Sequence, residues 1–197
     1  MKSDSLPAIF LAAGASRRLG QPKQLLQIEG RDESLLDHTL RIAITAGLDP
    51  VFVVLGAHAA AIQRATPLEG CTVLLNSDWQ EGMASSIRCG VHAAQEINPR
   101  VSGVVLLVCD QPALTSEHLQ ALLAAHRQAP EKIVASRYVG RPGVPILAPR
   151  ALFPELLALS GDHGARDILR AGKTNLIEVP FALGEWDVDR PEDAATL

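Results

Sequence analysis

At 197 residues, with 47% hydrophobic and 4% aromatic residues, the chain suits one domain over residues 1–197 whose core is built from Ala, Leu, Val and Ile. Its formal net charge of -4 excludes a broad nucleic-acid surface, so any phosphate ligand has to be drawn in by a local cluster of cations. No membrane-length apolar run follows the first strand-like stretch, and neither a membrane nor a nucleic acid is an expected partner.

Ala8 to Ala13 reads as a buried strand that breaks at Gly14 into a small, polar, cationic loop ending at Pro22. Ala12, Ala13, Gly14 and Ala15 carry almost no side-chain bulk, so the main chain can approach a ligand, and Gly14 can take positive φ if required. Arg18 can grip phosphate oxygens bidentately and Lys23 can act as a point charge, with Arg17 beside them. That outlines a phosphate site, although the same residues also describe a strand followed by a solvated basic loop. The spacing is neither that of a P-loop nor the G-x-G-x-x-G of a dinucleotide site. Asp4 and Pro7 interrupt what would otherwise resemble a secretory signal, so none is expected.

Strand-like runs then alternate with helical patterns, the mark of stacked βαβ units and a mainly parallel sheet. Ser34 to Ala46 reads as a helix stopped by Gly47, Val51 to Leu55 as a buried strand, Ala57 to Ala65 as a short helix and Cys71 to Leu75 as a third strand. Asn76 to Ser86 is polar and small, and Ser86 to Ile97 looks helical, with serines available as caps. Gly103 to Cys109 is the most apolar strand and runs into Asp110-Gln111-Pro112. Leu114 to Gln128 reads as a helix capped by Thr115, and Lys132 to Ser136 as a strand. Arg137 to Pro149, rich in Gly and Pro, reads as a loop or edge strand. A helix over Arg150 to Leu159, a turn over Gly161 to Gly164, a short helix from Arg166 to Ala171 and a strand from Asn175 to Val179 follow. Pro191 suits the first turn of a final helix.

Asp110 and Asp189 are the carboxylates to pair, because both follow strand-like segments and a parallel sheet can bring distant strand ends to one edge. Mg²⁺ takes one or two protein carboxylates plus phosphate oxygens, which suits two lone aspartates; Asp187 is a substitute ligand, and helix capping is the alternative use of these acids. Cys71, Cys89 and Cys109 lack C-x-x-C spacing and have apolar neighbours, which suggests small buried hydrophobes in a reducing cytoplasm.

The run Leu11-Ala12-Ala13-Gly14-x-Ser16-x-Arg18-Leu19-Gly20-x-Pro22-Lys23-x-Leu25-Leu26 resembles the signature of the nucleotidyltransferases that attach a nucleotide to the molybdenum cofactor. Its Ala-Ala-Gly form is similar to the cytidylyltransferases of that group, whereas guanylyltransferases usually show Ala-Gly-Gly. Later segments match as well. Cys109-Asp110-x-Pro112 resembles the family's metal-binding turn, and Asp189-x-Pro191-Glu192-Asp193 its C-terminal Asp-Thr-Pro-Glu-Asp element, with Arg190 where threonine is usual. Asn76-Ser77-x-Trp79-x-x-Gly82-Met83-Ala84-Ser85-Ser86 is similar to the base-contacting segment. Arg141-Pro142-Gly143-Val144-Pro145 resembles the Gly-His-Pro acceptor segment with Val144 in place of histidine, and Gly161-Asp162-His163-Gly164-Ala165-Arg166 resembles a further family element.

The resemblance implies a Rossmann-like α/β three-layer sandwich with a mainly parallel sheet, of the nucleotidyltransferase or GT-A type. It implies Mg²⁺-dependent transfer of CMP from CTP to the molybdenum cofactor, with the product passing to a molybdoenzyme. Arg18, Lys23 and Asp110 would be catalytic, and Asp110 with Asp189 would hold the metal. Leu11, Ala12, Ala13, Gly14, Asn76, Gly82 and Ser86 would bear on the nucleotide, and Gly143, Pro145, Asp162 and Arg166 on the acceptor. A GTP-using enzyme, a different phosphorylated acceptor and a non-catalytic carrier stay open as alternatives.

Overall fold

The computed structural model describes residues 5–164, 167–169, 175–195 and 197. Its elements are β1 (Ala8–Ala12), α1 (Leu35–Thr45), β2 (Val51–Leu55), α2 (Ala59–Ala65), β3 (Thr72–Leu75), α3 (Met83–Ile97) and β4 (Gly103–Leu107). They continue with α4 (Ser116–Gln128), β5 (Ile133–Tyr138), β6 (Arg141–Pro149), α5 (Phe153–Ala158), β7 (Leu176–Pro180) and α6 (Pro191–Ala194). The strands form one seven-stranded sheet in the order β3-β2-β1-β4-β6-β5-β7. Only β6 runs against its neighbours, pairing antiparallel with β4 and β5, while the other pairings are parallel.

Alternation along β1, β2 and β4 explains the layering. Phe10, Val53, Leu55, Val105 and Leu107 face one core with Leu36, Leu40 and Ala43 of α1 and Leu119 and Leu122 of α4. Ile9, Phe52, Val54, Val104 and Leu106 face the opposite core with Ile87, Val91 and Ala94 of α3 and Phe153 and Leu156 of α5. Strands covered on both faces need apolar residues at every position, and β2 and β4 are buried throughout. Phe10 is fully buried; truncating such a side chain to Ala costs about 3–5 kcal/mol. Gly90 lets α3 lie close on β1, because a Cβ there would run into Ile9.

Helix ends follow local chemistry. Ser34 and Asp37 form a reciprocal capping box at the start of α1, and Thr115 Oγ accepts from His118 N at 3.2 Å to cap α4. α3 begins three residues before the expected Ser86, and its N-cap is Gly82, at φ 123°, without a side-chain cap. The expected helix over Arg150 to Leu159 is a 3-10 turn, Arg150–Leu152, followed by the short α5. The expected helix from Arg166 to Ala171 falls partly on residues outside those described.

β6 departs most from expectation. A Pro- and Gly-rich segment read as a loop or edge strand is a nine-residue interior strand between β4 and β5. The register shift between Ala135 and Ser136 explains how: Ala135 pairs with Ile146 but Ser136 pairs with Gly143, so Val144 and Pro145 bulge out of the β5 ladder. The Pro145 carbonyl accepts instead from Ser136 Oγ at 2.9 Å. Proline is thereby kept where no N–H is demanded.

Candidate active site

The small-residue loop leaves the C-terminal end of β1, an interior strand, and is tied down at several points. Leu19 N and Gly20 N donate to Ser16 O at 3.1 and 3.0 Å, and Ala57 N donates to Ala13 O at 3.1 Å. The positive φ values fall on Ser16, at 48°, and Gly20, at 76°, and not on Gly14. What glycine supplies at 14 is space, since a Cβ there would meet nothing within 4 Å and its absence leaves the main chain open to a ligand. Gln24 Nε2 donates to Ala12 O at 2.7 Å and is buried. Lys23 N donates to Ser16 Oγ at 3.2 Å. Between them these bonds fix the backbone on which Lys23 is carried.

Lys23 is where the distant acids meet. Its Nζ donates to Asp110 Oδ2 and to Asp189 Oδ1, each at 2.7 Å, and Arg18 lies 2.9 Å from Asp189 Oδ2. Asp110 stands just past the C-terminal end of β4, as the topology of open α/β sheets leads one to expect. Asp189 arrives differently: it lies well beyond β7, in coil leading to α6, so it is this coil and not a strand end that brings it to Asp110. Val188 N donates to Asp110 O at 2.9 Å, which stitches the C-terminal segment to the end of β4. Asp193, not Asp189, supplies the capping carboxylate of α6, accepting from Asp189 N at 3.1 Å and Arg190 N at 2.8 Å. The Asp189 carboxylate is thereby left to face Lys23 and Arg18.

The electrostatics follow from that arrangement. Burial on its own would lower the Lys23 pKa, but the Asp110 charge and the hydrogen bonds to Asp110 and Asp189 outweigh it and hold the ammonium above its ordinary range. Burial pushes Asp189 upward, and the Lys23 hydrogen bond with the charges of Lys23, Arg18 and Arg190 brings it below the usual carboxylate value. Asp187 is raised, first by burial and then by the like charges of Asp110 and Asp189. Cys109, wholly buried beside Asp110, is pushed up to about 12 and stays a thiol.

A cavity of about 530 Å³ opens on this centre, lined by Leu11, Ala13, Gly14, Arg17, Arg18, Lys23, Gly82, Ser86 and Asp110. Trp79 and Met83, named positions of the segment that resembles the family's base-contacting run, also line it, as does Gln80, which carried no signal in the sequence. Ala12 is buried behind the wall, with its carbonyl occupied by Gln24. Asn76 does not line the cavity. Its amide nitrogen donates to Ser85 Oγ at 2.8 Å and Ser86 Oγ at 3.0 Å, and its carbonyl accepts from Asp78 N at 3.0 Å, so it holds the loop against α3.

An adjoining cavity of about 490 Å³ shares Leu11, Met83, Val108, Asp110 and Asp162 with the first and extends to Tyr138, Arg141, Gly143 and Asp187. Gly143 and Asp162 are therefore together, whereas Pro145 is turned to Ser136, and Arg166 lies outside the described residues. The Gly161–Asp162 turn packs on the start of α3, where Ala84 N donates to Gly161 O at 3.1 Å. A groove of about 570 Å³ along α1 has no lining residue in common with either cavity. Among the described residues no cluster of three or more His, Cys, Asp or Glu side chains suits a metal ion. Asp110 and Asp189 offer the carboxylate oxygens that a hard divalent cation takes, and in this structure the Lys23 ammonium bridges them. No described helix is long and apolar enough to cross a membrane.

A family model described as a MobA-like NTP transferase domain matches residues 8–176. The purine catabolism protein PucB of Bacillus subtilis is 36% identical over 208 residues, covering 98% of this chain and 96% of that protein. Nicotine blue oxidoreductase of Paenarthrobacter nicotinovorans is 36% identical, covering 82% and 80%. The molybdenum cofactor cytidylyltransferase of Escherichia coli is more distant at 24%, covering 98% and 95%. Among solved structures, Rv0371c of Mycobacterium tuberculosis matches with a TM-score of 0.82 at 32% identity, covering 97% of this chain and 96% of that one. A structure of that protein in complex with manganese matches with a TM-score of 0.79 at 30% identity, over the same 97% and 96%.

Proposed function

We propose that this chain, which belongs to the family of MobA-like NTP transferase domains, transfers CMP from CTP to the terminal phosphate of the molybdenum cofactor. The observation that carries the reading is the convergence of Lys23, Arg18, Asp110 and Asp189 at the mouth of the small-residue loop. A phosphate monoester acceptor brings its own nucleophilic oxygen at neutral pH. That oxygen forms a bond to the α-phosphorus as the bond from the α-phosphorus to the bridging oxygen breaks, and pyrophosphate leaves with the electron pair. No serine or histidine base is needed, and the work left to the protein is alignment and charge neutralisation. On this reading Lys23 and Arg18 are the cations that neutralise the departing phosphates, and the backbone around Gly14 is open to them. A divalent ion on Asp110 and Asp189, taken here as Mg²⁺, supplies charge neutralisation at the phosphates.

On this reading Ser86 contacts the base. Its hydroxyl accepts from Asn76 Nδ2, which leaves its own O–H to donate into the cavity that it lines. Cytosine offers O2 and N3 as acceptors to such a donor and guanine offers O6 and N7, so the choice of CTP rests on the Ala12-Ala13-Gly14 form of the loop, which resembles the cytidylyltransferases. Hydride transfer, prompted by the likeness to nicotine blue oxidoreductase, has less support, because the loop lacks dinucleotide spacing and a paired-acid centre fits a triphosphate. Pyrophosphate release measured with CTP and with GTP, each with and without molybdenum cofactor, tests the reading. Cofactor-dependent release from CTP supports it. A preference for GTP overturns the base assignment, and release from neither nucleotide points to a carrier.

A further inference from the structure

We infer that Arg141 is the residue that selects an anionic acceptor, gripping its phosphate in the adjoining cavity that Asp110 also lines; this rests on the transfer reading above. Arg141 is the only cation among that cavity's described lining residues, in the company of Asp110, Asp162, Asp167, Glu185 and Asp187. Lined by five carboxylates, such a cavity repels an anion unless a cation compensates at the contact. Among the described residues the Arg141 side chain has no ion pair or hydrogen bond, so its guanidinium is available to an incoming group. Planar and always charged, it suits bidentate capture of phosphate.

The backbone beneath it is unusual in a way that points the same way. Tyr138 and Arg141 face each other as the closing pair of a two-residue hairpin turn, with Val139 at φ 49° and Gly140 at φ 70°. That turn ordinarily takes Asn-Gly, and a β-branched residue at positive φ is a strained outlier. Val139 is also 66% exposed, so no burial compensates for the strain. Strained backbone of this kind collects where a side chain has to be held for a ligand. Here it fixes the start of β6, from which Arg141 enters the cavity. Gly143, two residues on, leaves the room, since a Cβ there would collide with the Tyr138 ring.

The test is a split in the steady-state constants of Arg141→Gln and Arg141→Lys in the full chain, with thermal melts to establish that both fold. Arg141→Gln is expected to raise KM for molybdenum cofactor roughly tenfold to a hundredfold, with KM for CTP unchanged and Arg141→Lys partly restoring the loss. An acceptor KM equal to that of the wild type overturns the assignment. Should the wild type transfer nothing to molybdenum cofactor, the transfer reading fails by itself, and inorganic phosphate becomes the probe. Titrated against the CTP-bound protein, phosphate shifts the Arg141 Nε–Hε resonance if Arg141 is an anion anchor. An Arg141 signal that phosphate leaves unmoved overturns the assignment independently of the acceptor's identity.

Discussion

Replacing Lys23 with Met removes the ammonium that Asp110 and Asp189 share while keeping most of its stem. Losing one partner of a fully buried ion pair costs about 3–5 kcal/mol. The side chains of Lys23, Asp110 and Asp189 keep 18%, 20% and 27% exposure, and Arg18 remains 2.9 Å from Asp189. Water and Arg18 together offset roughly half of that penalty, so the expected loss is about 2 kcal/mol. For a chain of this size that corresponds to a fall in Tm of about 4–8 °C in metal-free buffer. The same substitution leaves two acids facing each other without their shared cation, a better seat for a divalent ion than the wild type offers before nucleotide binds. Mn²⁺ at about 100 times its Kd contributes about 2.7 kcal/mol, enough to restore the variant. Thermal melts of both proteins in EDTA and in Mn²⁺, with free Mn²⁺ counted by electron paramagnetic resonance, make the measurement. A variant that melts within about 1 °C of wild type in EDTA, or that gains no more from Mn²⁺ than wild type does, would refute the role assigned to Lys23.

Asp110→Asn should abolish turnover while leaving the fold intact, and activity retained at saturating Mg²⁺ would remove Asp110 from the metal site. Hydrogen bonding by Arg41, opposed by burial and joined by His38 and Arg31, holds the Glu33 carboxyl down from 4.5 to about 2. A depressed carboxylate pKa stabilises the fold above the unfolded value and loses that contribution as pH falls through the folded one. Urea midpoints at about pH 6 and about pH 3 should therefore fall for wild type by an amount on the order of 1–2 kcal/mol that Glu33→Gln does not show; equal falls would count against it. Gly82→Ala sets a Cβ against the Gly161 carbonyl and Asp162 at φ 123°, and should cost about 2–3 kcal/mol with weakened CTP affinity. Unchanged stability and affinity would mean that the 161–162 turn shifts freely.

What the sequence by itself determined is the part that local chemistry controls. Continuous apolar runs at Ala8, Val51 and Gly103 announced strands buried on both faces, Thr115 announced its cap, and small residues beside Arg18 and Lys23 marked an exposed cationic loop. Tertiary structure alone decided what depends on contacts between distant segments. β6 became an interior strand because a bulge at Val144 and Pro145 let its neighbours pair on both sides, overriding the local preference of Pro and Gly. Asn76 was withdrawn from the cavity because Ser85 and Ser86, one helix away, claimed its amide. Asp189 reached Asp110 through a backbone bond from Val188 rather than along a strand, and Lys23 became their common partner across 87 and 166 positions of chain. Periodicity records which face of an element is covered; which side chains meet is set by how the covered faces stack.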